Sequence, residues 1–156
     1  MTSCPFCAVE LSRIAFMDDH IVGMWDAFPV SPGHLLIVSR RHAPSWDELT
    51  QDEREAVWRS VDRARSEITR RHKPDGYNIG FNLGAAAGQT VFHFHLHVIP
   101  RYAGDMEDPR GGVRHVLPHK GNYLASEVMT TPATGQRLVT GGSDHLLPHL
   151  VLHMDA

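Results

Sequence analysis

Residues 93–99 read His-Phe-His-Leu-His-Val-Ile, and this alternation constrains the fold more tightly than any other part of the chain. Successive side chains on a strand point to opposite faces. His93, His95 and His97 therefore share one face, within about 7 Å of each other, and Phe94, Leu96 and Val98 share the other. The apolar face has to be buried against a helix, and the imidazole face is left to form a site. A row of solvent-facing histidines is the bland alternative, and strict threefold alternation argues against it. The chain has 12 histidines in 156 residues, an excess of the one side chain that titrates near neutrality, binds metals and serves as a nucleophile.

Two chemical readings of that face remain. His-x-His on a strand can chelate zinc, but a hydrolytic zinc site usually recruits a carboxylate. The flanks, Gln89-Thr-Val-Phe92 and Pro100-Arg-Tyr102, supply none. In the other reading one imidazole attacks a phosphoryl group that its neighbours hold. Lys and Arg number 15 against 18 Asp and Glu, a net charge of −3, so any phosphate site has to be local.

Around this strand the chain reads as one α+β domain. Strands are expected over 20–28, 34–38, 77–83 and 91–99, with turns at Pro29, Pro32 and Gly33. Ser45 to Glu48 and Thr50 to Glu53 both match a helix capping box. Val57, Val61, Ala64 and Ile68 follow as one apolar stripe, ended by Pro74. Gly84-Ala-Ala-Ala-Gly88 is a loop small enough for backbone to approach a ligand. The domain is expected over 1–105, then an extended basic segment over 106–129, then a linker and tail helix over 130–156. His145, His149 and His153 form one face of that helix, read as a surface stripe.

Cys4 and Cys7 are the only cysteines. Their Cys-x-x-Cys spacing, with no strand before it, reads as half a zinc site rather than a redox motif, and two further ligands must come from elsewhere. No apolar run approaches the roughly 20 residues that span a bilayer. The N-terminus lacks a signal-peptide pattern, so the cytoplasm is the expected location and no membrane partner is expected.

The whole stretch Gly88-Gln-Thr-Val-Phe-His-Phe-His-Leu-His-Val-Ile-Pro-Arg101 resembles the histidine-triad (HIT) superfamily of nucleotide hydrolases and transferases. Asp26, Gly33-His-Leu-Leu-Ile-Val38, His42 and Asn82 extend the resemblance over about residues 4 to 103. It implies an antiparallel sheet of about five strands with one long helix. In the galactose-1-phosphate uridylyltransferase branch glutamine replaces the third histidine, so His97 argues against that branch.

The resemblance further implies that His95 attacks a nucleoside α-phosphate and forms a nucleotidyl-histidine intermediate that water resolves. His97 and His34 would neutralise the phosphoryl oxygens, with Gln89 and amides near Gly88, and Thr90 would donate to the leaving group. Asp26 would accept from the ribose hydroxyls, and Asn82 would line the nucleotide site or merely stabilise its loop. Cys4, Cys7, His42 and His93 stand where some bacterial HIT hydrolases hold one structural zinc per chain. A purine nucleotide, adenine by family analogy, and a homodimer are the implied partners.

Two features point to a second class. Arg110 to Lys120 is a local basic cluster that would suit an extended substrate or nucleic acid, unless it is a solvated loop. Residues 137–156 resemble the opening of phospholipase D-like domains in bacterial helicases, though without their His-x-Lys motif. Together they suggest the alternative of a nucleotide-sensing or nucleic-acid-associated module.

Overall fold

The computed structural model describes residues 4–118 and 120–122. Among the described residues the five strands are β1 (Ile14–Met17), β2 (Ile21–Trp25), β3 (Leu35–Ser39), β4 (Gly76–Gly80) and β5 (His95–Arg101), with one α-helix, α1 (Gln51–His72), between β3 and β4. They form a single sheet in the order β1-β2-β3-β5-β4, every neighbouring pair antiparallel. This is the α+β architecture that the sequence implies, and β1 is the strand that hydrophobic patterning did not reveal. Only four residues long, it joins the sheet through β2, with a register shift between Ile14 and Phe16.

The helix starts where the second capping box puts it. Thr50 Oγ1 accepts from the Glu53 N–H, and a Glu53 carboxylate oxygen accepts from the Thr50 N–H at 2.8 Å, so two free amides are satisfied. Ser45 is not a second such box: a short 3-10 turn, Trp46–Glu48, follows it and its side chain makes no capping bond. Buried Glu53 also takes both arms of Arg41, at 3.0 and 2.7 Å, which ties the helix start to the residues after β3. That pair holds the Glu53 carboxyl below its usual range. At the far end Lys73 turns left-handed (φ 49°) just before Pro74.

The expected stripe is the buried face of α1: Val57, Ala64 and Ile68 are fully enclosed, and Val61 packs beside them. Against it lie Leu35, Ile37, Leu96 and Val98, with Phe94 close by. Cross-strand pairs keep the two sheet faces distinct. Leu35 stands opposite Val98 and Ile37 opposite Leu96 on the helix side; Leu36 stands opposite His97 and Val38 opposite His95 on the other. A small second cluster, Met24, Leu36 and Val38 with Phe6, Val9 and Val22, covers part of that other side.

The histidine strand is shorter at its start than alternation suggests. β5 begins at His95, because residues 91–94 bend and bond to the loop after β3. The Phe94 N–H donates to Ala43 O at 2.6 Å, and the Ser39 N–H donates to Phe94 O at 3.3 Å. It is longer at its end, running through Pro100 to Arg101, where past the Leu35–Val98 pair only β4 lies alongside.

After β5 the chain was expected to be extended. Instead residues 105–118 make turns and a 3-10 helix, Gly112–Val116, that packs against β4. The described residues up to 122 belong to one compact unit. The linker, the tail histidines and the phospholipase D-like stretch of 130–156 lie outside the described residues.

Candidate active site and metal centre

The bend before β5 divides the three histidines between two clusters. His93 is fully buried, and its ring lies against Cys4, Cys7 and His42. A carbonyl can only accept, so the 2.7 Å contact of His93 Nε2 with Ser39 O places the ring proton on Nε2. Nδ1 then presents an unshared pair, 3.4 Å from Cys4 Sγ and 3.5 Å from Cys7 Sγ. His42 Nδ1 lies 3.2 Å from Cys7 Sγ. One ligand atom from each of these four residues falls within 4.8 Å of all the others. A tetrahedral site with metal–sulfur bonds of about 2.3 Å and metal–nitrogen bonds of about 2.0 Å has edges of about 3.5 Å, so the donor set and spacing fit such an ion.

The electrostatics agree with that fit. Desolvation, then the Cys4 sulfur beside it, push the Cys7 thiol above its usual value. Burial pushes His93 down, which keeps it in the neutral form that ligates. Two sulfurs sharing one site without a cation resist ionising; an ion removes the conflict.

His95 has the opposite wiring. Its Nδ1 lies 2.8 Å from the His93 carbonyl, so Nδ1 holds the proton and Nε2 presents an unshared pair. The His93 peptide, in the candidate metal centre, thus fixes the tautomer of its neighbour two positions on. Phe6, between the two cysteines, packs on both rings, 6.0 Å from that of His93 and 4.9 Å from that of His95. Sequence reasoning passed over Phe6. Its signal was its place inside Cys-x-x-Cys, since a knuckle that reaches His93 carries the enclosed residue to the adjoining histidine.

His97 and His34 face each other beside His95. The His95 and His97 ring centroids are 5.1 Å apart, and His34 Nε2 is 3.0 Å from His97 Nδ1. Gly33, left-handed at φ 86°, makes the turn into His34; a Cβ there would come within 2.7 Å of the His72 ring. His34 Nδ1 lies 3.2 Å from Asp26 Oδ2, and the Val30 N–H, 3.4 Å from the same nitrogen, has the weaker claim on it. With its proton toward the carboxylate, neutral His34 accepts from His97 Nδ1–H, and His97 Nε2 is bare. Burial, then His95 and His34, lower His97 to about 4. Burial also lowers His34, against the pull of Asp26. Both rings are therefore neutral at pH 7, and neutralising a phosphoryl group requires them to take up a proton.

The small-residue loop supplies the remaining expected residues. Gly84 and Gly88 both have positive φ, 83° and 86°, and bracket the 3-10 turn Ala85–Ala87. Gln89 is buried, and both of its amide hydrogens are taken by backbone carbonyls. Nε2 donates to Pro44 O at 2.7 Å and Val91 O at 3.2 Å, and Oε1 accepts from the Gly84 N–H at 2.9 Å. It braces the turn, where the sequence suggested a phosphate contact. Thr90 is exposed beside it. Asn82 lines a cleft next to His34 and His97. In the basic segment Arg110 forks onto Asp108 at 2.8 and 3.0 Å, and Arg114 donates to Gly121 O.

A five-stranded antiparallel sheet with one covering helix, carrying a histidine cluster on its open face, defines the class. The HIT domain family matches residues 9–104, and the chain belongs to it. An uncharacterised HIT-like protein of Mycoplasma genitalium is 37% identical over 105 residues, 65% of this chain and 74% of the relative. A bis(5'-adenosyl)-triphosphatase of Dictyostelium discoideum is 34% identical over 100 residues, 64% of this chain and 67% of the relative. Among solved structures, a zinc-bound histidine triad family protein from Mycobacterium smegmatis is 33% identical with a TM-score of 0.61, over 68% of this chain and 80% of that one. No helix among the described residues is long and apolar enough to cross a membrane.

Proposed function

We propose that the chain hydrolyses a nucleotide at its α-phosphate, with His95 as nucleophile. The observation that carries this reading is the tautomer of His95: Nδ1–H is held by the His93 carbonyl at 2.8 Å, which leaves Nε2 nucleophilic at neutral pH. His95 Nε2 bonds to phosphorus, and the bond to the leaving group breaks. The leaving group keeps the electron pair and gains a proton, supplied through the Thr90 hydroxyl. Water then adds to phosphorus, one of its protons restores the Thr90 hydroxyl, and the P–N bond returns its pair to His95, giving a nucleoside monophosphate. The imidazolium formed on attack donates Nδ1–H to the same carbonyl, so the leaving nitrogen is already oriented.

His97 and His34 hold the phosphoryl oxygens as a pair that takes up one proton when an anion binds. Burial makes that pair neutral beforehand, and the charge appears where it is needed. Asp26, Asn82 and Gly88 are the nucleotide-binding residues of this reading, with Asp26 divided between His34 and the ribose. The substrate is a dinucleoside polyphosphate or a nucleoside phosphoramidate, with adenine as base, a reading supported by the named activity of the Dictyostelium relative. Cys4, Cys7, His42 and His93 hold one zinc ion, a closed structural site that stiffens the knuckle under His95. Two copies pair into a homodimer in the cytoplasm.

Rapid quenching with diadenosine triphosphate or adenosine phosphoramidate tests the mechanism. Mass spectrometry is expected to find an adenylyl group on the peptide containing His95. Turnover with oxygen-18 water that labels the product phosphate but shows no adduct and no dependence on His95 would refute the covalent route.

A further inference from the structure

Cys4 and Cys7 border the nucleophile as well as the candidate metal centre, and one of them faces solvent. We propose that this pair is an oxidation site: a hydroperoxide joins the two sulfurs as a disulfide, the bound ion is released, and Phe6 shifts against His95. The proposal rests on the zinc reading of the four-residue cluster, and its effect on rate rests on His95 as nucleophile.

The geometry allows the bond. The Cys7 N–H donates to Cys4 O at 3.1 Å, so residues 4–7 form a tight turn. Cα atoms across such a turn lie within about 7 Å, and disulfides span about 4.4 to 6.8 Å between Cα atoms. The two sulfurs already lie within 4.8 Å of each other. They belong to the only cysteines in the chain, so a disulfide within it pairs these two. Cys7 and His42 form the exposed half of the cluster, 3.2 Å apart, while Cys4 is half-buried and His93 fully buried. An oxidant therefore meets the Cys7 sulfur first, and the Cys4 sulfur stands behind it.

The chemistry follows from that order. A thiolate attacks peroxide where a thiol does not, and ligation keeps both sulfurs as thiolates. Cys7 Sγ attacks one peroxide oxygen and the O–O bond breaks. The departing oxygen takes a proton and leaves as water or an alcohol. Cys4 Sγ then attacks the Cys7 sulfur, the S–O bond breaks, and hydroxide takes a second proton to leave as water. The two thiolates give up an electron pair to the O–O bond and become one disulfide. Neither sulfur then carries the charge that held the cation, and two imidazoles alone hold it weakly. A dithiol reverses the bond by exchange.

Phe6 carries the change to the active site. Its ring lies 4.9 Å from that of His95 and 6.0 Å from that of His93, and it also packs on Met24, Leu36 and Val38. Two sulfurs of a tetrahedral site stand about 3.7 Å apart, against about 2.0 Å in a disulfide. The turn that carries Phe6 has to draw in by about 1.7 Å, and its ring cannot keep the same contact with His95. His93 Nδ1 loses its ion as well. The peptide that holds His95 Nδ1–H then keeps its ring fixed by Ser39 O alone.

The test treats the full chain, purified with zinc and without chelator, with a small excess of hydrogen peroxide. A chromogenic chelator should record one ion released per chain, in step with a Cys4–Cys7 disulfide found by mass spectrometry of the unreduced digest. NMR signals of the His95 ring, assigned by their loss in His95→Asn, should shift as the Phe6 ring moves. kcat/KM for adenosine phosphoramidate should fall about tenfold and return with dithiothreitol and zinc. Methionine sulfoxide survives dithiothreitol, so recovery assigns the change to the cysteines. Retention of the ion, sulfinic acids in place of the disulfide, or release with unmoved His95 signals would each overturn the proposal. So would a rate that does not respond, or one that dithiothreitol and zinc do not restore. A parent protein that purifies free of zinc would overturn the metal reading and the proposal together. If the ion is released, the disulfide forms and the His95 signals shift in a protein that hydrolyses no nucleotide even when reduced, the oxidation site stands and the hydrolase reading falls.

Discussion

His93 and His95 stand two residues apart, and each has one ring nitrogen committed to a main-chain carbonyl. In His93 the committed nitrogen is Nε2, on Ser39 O, and Nδ1 faces two sulfurs. In His95 it is Nδ1, on the His93 carbonyl, and Nε2 faces the open side of the sheet. The same side chain thus turns a free Nδ1 toward two sulfurs in one place and leaves Nε2 free in the other. The deciding factor is which nitrogen the backbone occupies, and that follows from whether the residue lies in the bend or in the strand.

Exchanging the two roles by mutation gives the largest effects. His95→Asn should reduce turnover by at least about a thousandfold, since the nucleophile is lost. Its metal content and Tm should match the parent, as read by elemental analysis and calorimetry. His93→Asn should do the reverse, losing the ion first and activity second. Equal loss of metal in both variants would show that the two clusters are a single site.

Cys4→Ser sharpens the comparison from the metal side. An incomplete tetrahedron should hold zinc poorly, and the domain should lose on the order of 3 kcal/mol, roughly 10 °C in Tm. Hydrolysis measured well below that Tm should fall far less than in His95→Asn. Complete inactivation of a still folded Cys4→Ser protein would place the ion in the chemistry.

A smaller effect is expected from pH. His97 is lowered to about 4 and His34 is lowered as well, while in the unfolded chain both return to about 6.5. Between pH 6.5 and about 4 the unfolded chain therefore binds more protons than the folded one. Stability from these neutral rings is complete above about 6.5 and is lost as pH falls toward 4. Urea titrations over that range should show a shallower slope for His97→Gln than for the parent; identical slopes would mean that His97 is protonated in the folded protein. The smallest change belongs to a region remote from both clusters. Thr50→Ala removes one half of the capping box and should cost about 1 kcal/mol, with kcat unchanged.

Much of this architecture was legible in local sequence. The α1 stripe, the Thr50–Glu53 box, the apolar side of β5 and the set Cys4, Cys7, His42 and His93 all follow from periodicity, capping and family resemblance. The periodic signals are local, because they concern how one segment buries its own apolar face. β1 was missed because four residues at a sheet edge carry too little alternation to stand out.

What sequence alone determined, then, is which residue types are available and which faces must be buried: a histidine strand, a helix to cover it and a cysteine pair in need of ligands. Tertiary structure decided how each imidazole is used. Alternation placed three histidines on one face, yet the Ala43 and Ser39 backbone bonds to Phe94 bend the chain and send His93 to the cysteines. Gln89 was assigned to phosphate by its position in the motif, but the loop carbonyls of Pro44 and Val91 take its amide. Arg110 counted toward a basic cluster until Asp108 paired with it. Hydrogen bonds and ion pairs between residues distant in sequence, or across a turn, have no periodic signature, so the protonation and availability of each polar group appear only once the chain is folded.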